Sequence, residues 1–489
     1  MGSTAFKQAF FTLLIATLLL AIYPLVREQS DFLQSYTRSY NAFPQFITRP
    51  NSIGSNQIDT IAYASILPKE QVDTSKQYSA QNEDHLAEEL AQVLPIDGTY
   101  TGTEKLFPFF ASIHNRNEQV RIAYYGDSSI EGDLICMTFR DSLQGRFGGS
   151  GVGFVPLVSM HPGFRRSIHQ AASNNWSRNV LGKKNTKGLR RGISGEFFIP
   201  MGARPQKLDS TLQDSIPTLD PTHWATFKGS KHFSRCQDFR QARLFYGQPR
   251  NQDTLALGGY ISVKADTRKK EMPLLAPKAV NCLPLTDTIC QRIRLDFQSD
   301  PSLPIYGLSL ESERGIIVDN FPLRGLDGGA LKYINETTLQ QFQEHLDYDL
   351  LIFQFGLNVM NPKLKDYSWY QKRLEELILH YQNAMPGVPI LLIGVSDKGT
   401  KINGHMQTDP SIPRITEAQR RAAQNTGVAF FSLYEGMGGE GTMVSWVEDH
   451  RPKLANVDYT HFNFRGARKV SYLLVQYIQE NYMDFVVSQ

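Results

Sequence analysis

The hydrophobic rhythm of the chain changes several times along its length. Ala9 to Val26 is an apolar run without a charge, with Lys7 before it and Arg27-Glu28 behind it. At 1.5 Å per residue a helix of this length just reaches across a bilayer core of about 30 Å. No A-x-A-like cleavage site follows, so residues 1–26 are expected to form an uncleaved signal anchor, a transmembrane helix rather than a removed signal peptide. Residues 27–104 are rich in Ser, Gln, Asn, Asp and Thr with few sustained apolar patterns, and read as a polar linker.

At Lys105 the pattern tightens. The aromatic stretch "KLFPFFASIHN" leads into a strand-like run, Val120 to Tyr125, that stops at Gly126-Asp127-Ser128. A helix is expected to start there at once and to end in the glycine cluster Gly148 to Gly153. Between 166 and 310 short β-prone runs ("GEFFIPMG", "HWATFKG", "ARLFYG", "GGYISVKAD", "RIRLDFQ") are separated by turn residues, the signature of an antiparallel sandwich or jelly roll. From 311 strands and helices alternate. "GIIVDNF", "DLLIFQFG", "VPILLIGV" and "VAFFSLY" are continuous apolar runs, as strands buried on both faces should be. Tyr370, Leu374, Leu377, Ile378 and Tyr381 share one stripe of a helix over 367–385. "TEAQRRAAQNTG" reads as a helix ended by Gly427, and 465–482 as a closing helix. The predicted fold class is α/β: a parallel sheet built from 105–165 and 311–489, with an antiparallel β-sandwich inserted at 166–310.

Composition adds boundaries. A chain of 489 residues is too long for one core, so two or three folded units are expected. Its 51 basic and 48 acidic residues nearly balance, which gives no reason to expect a nucleic-acid partner. Lys183, Lys184, Lys187, Arg190 and Arg191 read as a solvated loop. Of the four cysteines, Cys282 and Cys290 are spaced to close a short hairpin and Cys136 reads as a small buried side chain, but three pairings remain open. No CxxC or His-x-x-x-His pair points to a metal, and no cofactor is expected.

In parallel sheets, sites form at the carboxyl ends of the strands. The polar residues that follow the apolar runs are Gly126-Asp127-Ser128; the glycine turn of "PLRGLDGGA"; Gly356-Leu357-Asn358; and "NVDYTHFNFRGA", with Asp458 and His461 three apart. Taken singly, Ser128 would be a helix N-cap, Asn358 a turn residue, and Asp458 with His461 a capping pair. Together they supply the parts of serine acyl transfer. Ser128 is a weak nucleophile until an imidazole, His461, takes its proton. Asp458 fixes the imidazole's tautomer, and the oxyanion needs donors such as the N–H groups of Ser128 and Gly328 and the Asn358 amide. Asp127 is expected to tie the corner, and His450 to be a loop residue. G-x-S-x-G is absent from the chain, which argues against the α/β-hydrolase fold.

The order GDS, glycine turn, GxN, DxxH resembles the SGNH hydrolases, or GDSL esterases. In that resemblance Ser128 is the nucleophile, Gly328 the second-block glycine (Gly325 and Gly329 lie beside it), Asn358 the third-block amide, and Asp458 and His461 the last block. "LQGRFGGSGVGFVPL", "FFSLYEGMGG" and "DYTHFNFRGA" are similar to the periplasmic branch of peptidoglycan O-acetylesterases. The resemblance implies a three-layer α/β/α flavodoxin-like catalytic domain, with residues 166–310 as a carbohydrate-binding-module-like sandwich in which Trp176 or Trp224 could stack on sugar rings. Trp369 and Trp446 are expected to pack or to wall the pocket. Three positions depart from the family pattern: Ser129, Asp327 and Val359, all expected at the pocket mouth, where they bear on substrate choice.

The activity implied is removal of O-acetyl groups from peptidoglycan or another envelope or extracellular polysaccharide, without metal or cofactor. An O-acetyltransferase using the same residues and an inert glycan-binding scaffold are the alternatives. The implied partners are the acetylated glycan, the membrane through the N-terminal helix, and a membrane acetyl-export protein. The implied location is the inner (cytoplasmic) membrane, with the catalytic part in the periplasm or outside the cell.

Overall fold

The apolar runs that end in polar corners become strands of one sheet, and a short strand from the segment that reads as a linker joins its edge. In the computed structural model, which describes residues 98–115, 118–184, 187–201, 223–250 and 256–489, these are β1 (Tyr100–Thr101), β2 (Gln119–Gly126), β3 (Gly315–Pro322), β4 (Tyr348–Gln354), β5 (Ile390–Ile393) and β6 (Ala429–Phe431). Their order is β1-β6-β5-β4-β2-β3. All pairs are parallel except β1 with β6. The register sets the ends of the three strands nearest the site level with one another, Gly126 opposite both Pro322 and Gln354. The corners after β2, β3 and β4 therefore open side by side.

Both faces of this sheet are buried, which is why its strands read as unbroken apolar runs. On β2, Ile122 and Tyr124 enter one apolar cluster with Phe110, Phe139 and Tyr477. Ala123 and Tyr125 enter another with Phe342, Leu374 and Ile415. The helices that supply these partners are α1 (Phe107–Asn115), α2 (Cys136–Phe147), α3 (Glu336–Leu346), α4 (Ser368–Ala384), α5 (Ser411–Thr426), two short helices α6 (Leu433–Met437) and α7 (Thr442–Glu448), and α8 (Phe464–Ser488). Gly427 ends α5 in the left-handed conformation, φ 69°, as its place behind the apolar stripe predicts.

The remaining strands are antiparallel. A five-stranded sheet runs 268–275, 257–265, 292–299, 223–229, 168–172. A six-stranded sheet takes the order 281–286, 241–246, 305–311, 196–200, 176–180, and Gly151–Pro156 also pairs with Ile305–Glu311. The glycine cluster ends the helix Cys136–Phe147, with Gly148 as its C-cap, and leads on into a strand of this second sheet.

A buried charge network joins this sheet to the parallel one. Arg121 on β2 pairs with Asp319 on β3 at 2.8 Å and also with Glu311, all three side chains fully buried. Glu311 in turn pairs with Arg243, while Asp319 accepts the Phe154 N–H and the Tyr348 hydroxyl, each at 2.6 Å. Charges so deeply buried are tolerable only when every one is partnered.

Two expectations are corrected. Among the described residues no helix is long and apolar enough to cross a membrane. The run 9–26, on which the single-pass inner-membrane placement rested, lies outside the described residues. The placement, the membrane contact and the export partner drawn from that run therefore have no support. Nor do Cys282 and Cys290 close a hairpin: all four cysteines are free thiols, with Cys282 on the strand Asn281–Thr286 and Cys290 bridged to Phe239 by backbone. Cys136 is fully buried, as its place on the helix predicts.

Candidate active site

The chain turns sharply at the end of β2. A Cβ on Gly126 would lie 3.0 Å from the Ile130 side chain and 3.1 Å from the Gln354 carbonyl, so the tight corner favours glycine. The next residue caps the turn: the Asp127 carboxylate accepts the Ser129 N–H at 3.0 Å. Burial pushes this carboxyl group up, and the N–H groups of Ser129 and Leu357 oppose that shift. Because Asp127 is the cap, Ser128 is not, and its hydroxyl is left for another partner.

A continuous helix does not follow. Ser128–Asp133 is a kinked 3-10 turn, with Glu131 extended and Gly132 and Asp133 at φ 63° and 71°. The kink turns the Asp133 carboxylate inward, where it accepts two N–H groups of Arg140 at 2.7 and 2.9 Å and the Ser167 hydroxyl at 2.5 Å. Only then does α2 begin, at Cys136.

The partner of Ser128 arrives from the loop before α8. Ser128 Oγ lies 3.0 Å from His461 Nε2, and His461 Nδ1 lies 2.7 Å from Asp458 Oδ2. The three-residue spacing works because the loop is folded back on itself. Asp458 Oδ1 accepts the N–H groups of Thr460 and His461, both at 3.0 Å, an Asx-type turn that leaves Oδ2 for the ring. The Asn456 N–H donates to the His461 carbonyl at 2.9 Å. Tyr459, between the two, has φ 52°, a conformation that non-glycine residues seldom adopt. It is held there by Gly399, whose N–H donates to the Tyr459 carbonyl at 2.8 Å, and by Glu448, which accepts its hydroxyl at 2.7 Å. Nothing in the sequence pattern announces this strained residue. The helix cap is again a different residue: Asn463 accepts the N–H groups of Arg465 and Gly466.

The electrostatics follow from these bonds. Partial burial works against the Asp458 carboxylate, but the His461 ring and the two backbone N–H groups outweigh it and hold the group down to about 2. The bond to Asp458 raises the His461 imidazole above its ordinary value; partial burial and Arg324 pull the other way, and Asp127 adds to the rise. Both side chains remain about half open to solvent, 42% for His461 and 48% for Asp458.

The other two corners meet beside this pair. Asp127 N–H donates to the Gln354 carbonyl, and Leu323 N–H donates to the Gly126 carbonyl at 2.7 Å. Gly328 is buried at φ 90°, and a Cβ there would lie 2.8 Å from the Phe355 ring. The Asn358 amide donates to the Leu326 carbonyl at 2.9 Å, tying the third corner to the second. The departures from the family pattern are accounted for locally. Asp327 accepts the Gly329 N–H at 3.0 Å and pairs with Arg373 of α4, so it clamps the glycine turn. Ser129 and Val359, 5% and 8% exposed, are packed inside rather than at a pocket mouth.

Elsewhere, His450 is a loop residue whose Nδ1 lies 3.1 Å from the Ser445 carbonyl. Trp446 is core. Trp176 is buried against Phe297 and offers no free face, and the Trp224 ring carries the Arg294 guanidinium on one face, 4.6 Å from its centroid. Among the described residues no three His, Cys, Asp or Glu side chains converge as metal ligands do.

No family model and no curated protein matches the sequence. Among solved structures, a peptidoglycan O-acetylesterase matches with a TM-score of 0.60 at 17% identity, over 79% of this chain and 100% of its own. That likeness establishes a shared fold. A family two carbohydrate esterase from Cellvibrio japonicus (TM-score 0.24, 11% identity, 65% of this chain and 99% of its own) and an acetyl xylan esterase (0.24, 15%, 33% and 81%) match at levels too low to bear on it.

Proposed function

We propose that this protein is a serine esterase of the SGNH type that removes O-acetyl groups from an envelope or extracellular glycan. The observation that carries the reading is the relay from Ser128 Oγ to His461 Nε2 at 3.0 Å and from His461 Nδ1 to Asp458 at 2.7 Å. In the proposed cycle, His461 accepts the Ser128 proton as Oγ bonds to the ester carbonyl carbon. The resulting oxyanion is held by the N–H groups of Ser128 and Gly328 and by Asn358. Collapse breaks the bond to the sugar oxygen, which leaves with the proton from His461, and an acetyl-serine remains. Water, deprotonated by His461, attacks that ester; acetate leaves and Ser128 regains its proton.

The proposed architecture is a three-layer α/β/α domain from 105–165 and 311–489 with a β-sandwich inserted at 166–310, to whose second sheet the first segment adds the strand Gly151–Pro156. The acetylated glycan as substrate is supported by the fold shared with the peptidoglycan O-acetylesterase. Hydrolysis is favoured over acetyl transfer to a sugar because His461 and Asp458 are open to water, which a transferase must exclude. The test is acetate release by the full chain from O-acetylated peptidoglycan and a panel of acetylated polysaccharides, with Ser128→Ala beside it and a fluorophosphonate probe for the serine. Release that vanishes together with labelling in Ser128→Ala is expected. A wild-type serine that the probe does not label would falsify the reading.

A further inference from the structure

Resting on that reading and extending it, we propose that the outer face of α4 and the glycine turn beside it form a glycan-chain subsite, with Trp369 and Tyr333 as sugar-stacking rings. An exposed aromatic ring offers a flat apolar face of the kind that stacks on a sugar ring. Trp369 is 41% exposed and Tyr333 70% exposed, while Trp176 and Trp446 are buried. Tyr260, on the antiparallel strand Leu257–Ala265, and Phe164 are about as exposed as Trp369, but it is Trp369 and Tyr333 that lie beside the glycine turn of Gly328.

The two rings are connected to the candidate oxyanion turn by contacts. Trp369 lies under the Arg373 guanidinium, 5.3 Å from its centroid. The stem of Arg373 lies against Gly329, where a Cβ would come within 2.3 Å of its Cδ, and its guanidinium pairs with Asp327. One helical turn on, Glu376 pairs with Lys332 at 2.6 Å, and Lys332 Nζ lies 5.5 Å from the centroid of the Tyr333 ring. Residues 369, 373 and 376 recur at helical spacing and so share one face of α4, over about 10 Å of helix.

The chemistry of the strip suits a polyol. Its four charged groups, Asp327, Arg373, Lys332 and Glu376, are paired two by two and sum to zero, so the strip repels neither a neutral nor a weakly charged chain. Side-chain exposures of 46% for Arg373 and 44% for Glu376 leave donors and acceptors for hydroxyls between the rings. An extended glycan over this strip would present one acetyl ester to Ser128 while neighbouring sugars rest on the rings.

The experiment compares the full chain with Trp369→Ala, Tyr333→Ala and Trp369→Phe on two substrates, soluble O-acetylated peptidoglycan fragments and 4-nitrophenyl acetate. The quantity read is the ratio of KM for the fragments to KM for the small ester. In each alanine variant it should rise about tenfold, the effect of one aromatic contact, and Trp369→Phe should restore most of it. A ratio that stays at the wild-type value, or kcat and KM that shift together on both substrates, overturns the subsite. If the wild type hydrolyses neither substrate, the esterase reading fails by itself. The subsite is then tested by tryptophan fluorescence on titration with unacetylated peptidoglycan oligosaccharides, and quenching that is absent or persists in Trp369→Ala overturns it.

Discussion

Asp458 has two tasks, and two substitutions separate them. Its Oδ1 is pinned by the N–H groups of Thr460 and His461, and its Oδ2 faces the His461 ring. In Asp458→Asn the amide oxygen must stay on the two N–H donors, because the reversed amide would set its NH2 against both. The NH2 then faces Nδ1 and favours the tautomer protonated on Nε2, which cannot accept the Ser128 proton. One hydrogen bond, about 0.5–1.5 kcal/mol net, makes the productive tautomer about two- to twelvefold scarcer. Asp458→Ala loses the stabilised imidazolium but leaves both tautomers available. We predict that kcat for acetate release falls about 10³-fold in Asp458→Ala and two- to twelvefold further in Asp458→Asn. The assay is steady-state acetate release against pH. Wild-type rate should climb as His461 loses its proton, at a pH above the ordinary imidazole value because Asp458 raises it. Both variants should climb at lower pH, since that support is gone. An Asn variant as active as the Ala variant, or an acid limb that does not move down, would refute the argument.

Other outcomes are expected from the same geometry. Asp319→Asn leaves Arg121 with one fewer buried partner and should lower unfolding free energy by about 3–5 kcal/mol in a urea titration; a loss under about 1 kcal/mol contradicts the network. Gly328→Ala sets a methyl group on the Phe355 ring at φ 90° and should cost about 1–3 kcal/mol of stability together with a loss in kcat, read by thermal melting and acetate release; unaltered kcat would remove Gly328 from the oxyanion site. Thiol titration of the denatured protein, without reductant, should count four thiols, and a count of two would restore a disulfide.

Much of the fold was legible because burial leaves a periodic trace. The strands of the parallel sheet read as apolar runs since both faces are covered, and α4 and α5 declared themselves by their stripes and by Gly427. Other elements left no such trace. Arg268–Leu275 is an edge strand with most of its side chains exposed, so its sequence, "RKKEMPLL", shows no inward alternation. The turn at Ser128 read as a helix because Gly132 and Asp133, which break it, sit among helix-compatible neighbours. Asp327 looked like a departure from a pattern, whereas it holds the Gly328 turn through Gly329 and Arg373.

By itself the sequence determined the corners. Each polar triplet after an apolar run marks where a buried strand must surface, and that depends on neighbouring residues alone. Only the tertiary structure decided which corners meet, through the register that sets Gly126 level with Pro322 and Gln354 and through the loop that carries His461 to Ser128, 333 residues away in sequence. It also decided the fate of the single residues. Asp127 and Asn463 took the capping roles, Trp176 went inside, Trp369 stayed out, and Arg121 found its carboxylates across two sheets. Hydrophobic periodicity is a local average over many residues, whereas a hydrogen bond, an ion pair or a ring face depends on one partner placed by the whole fold.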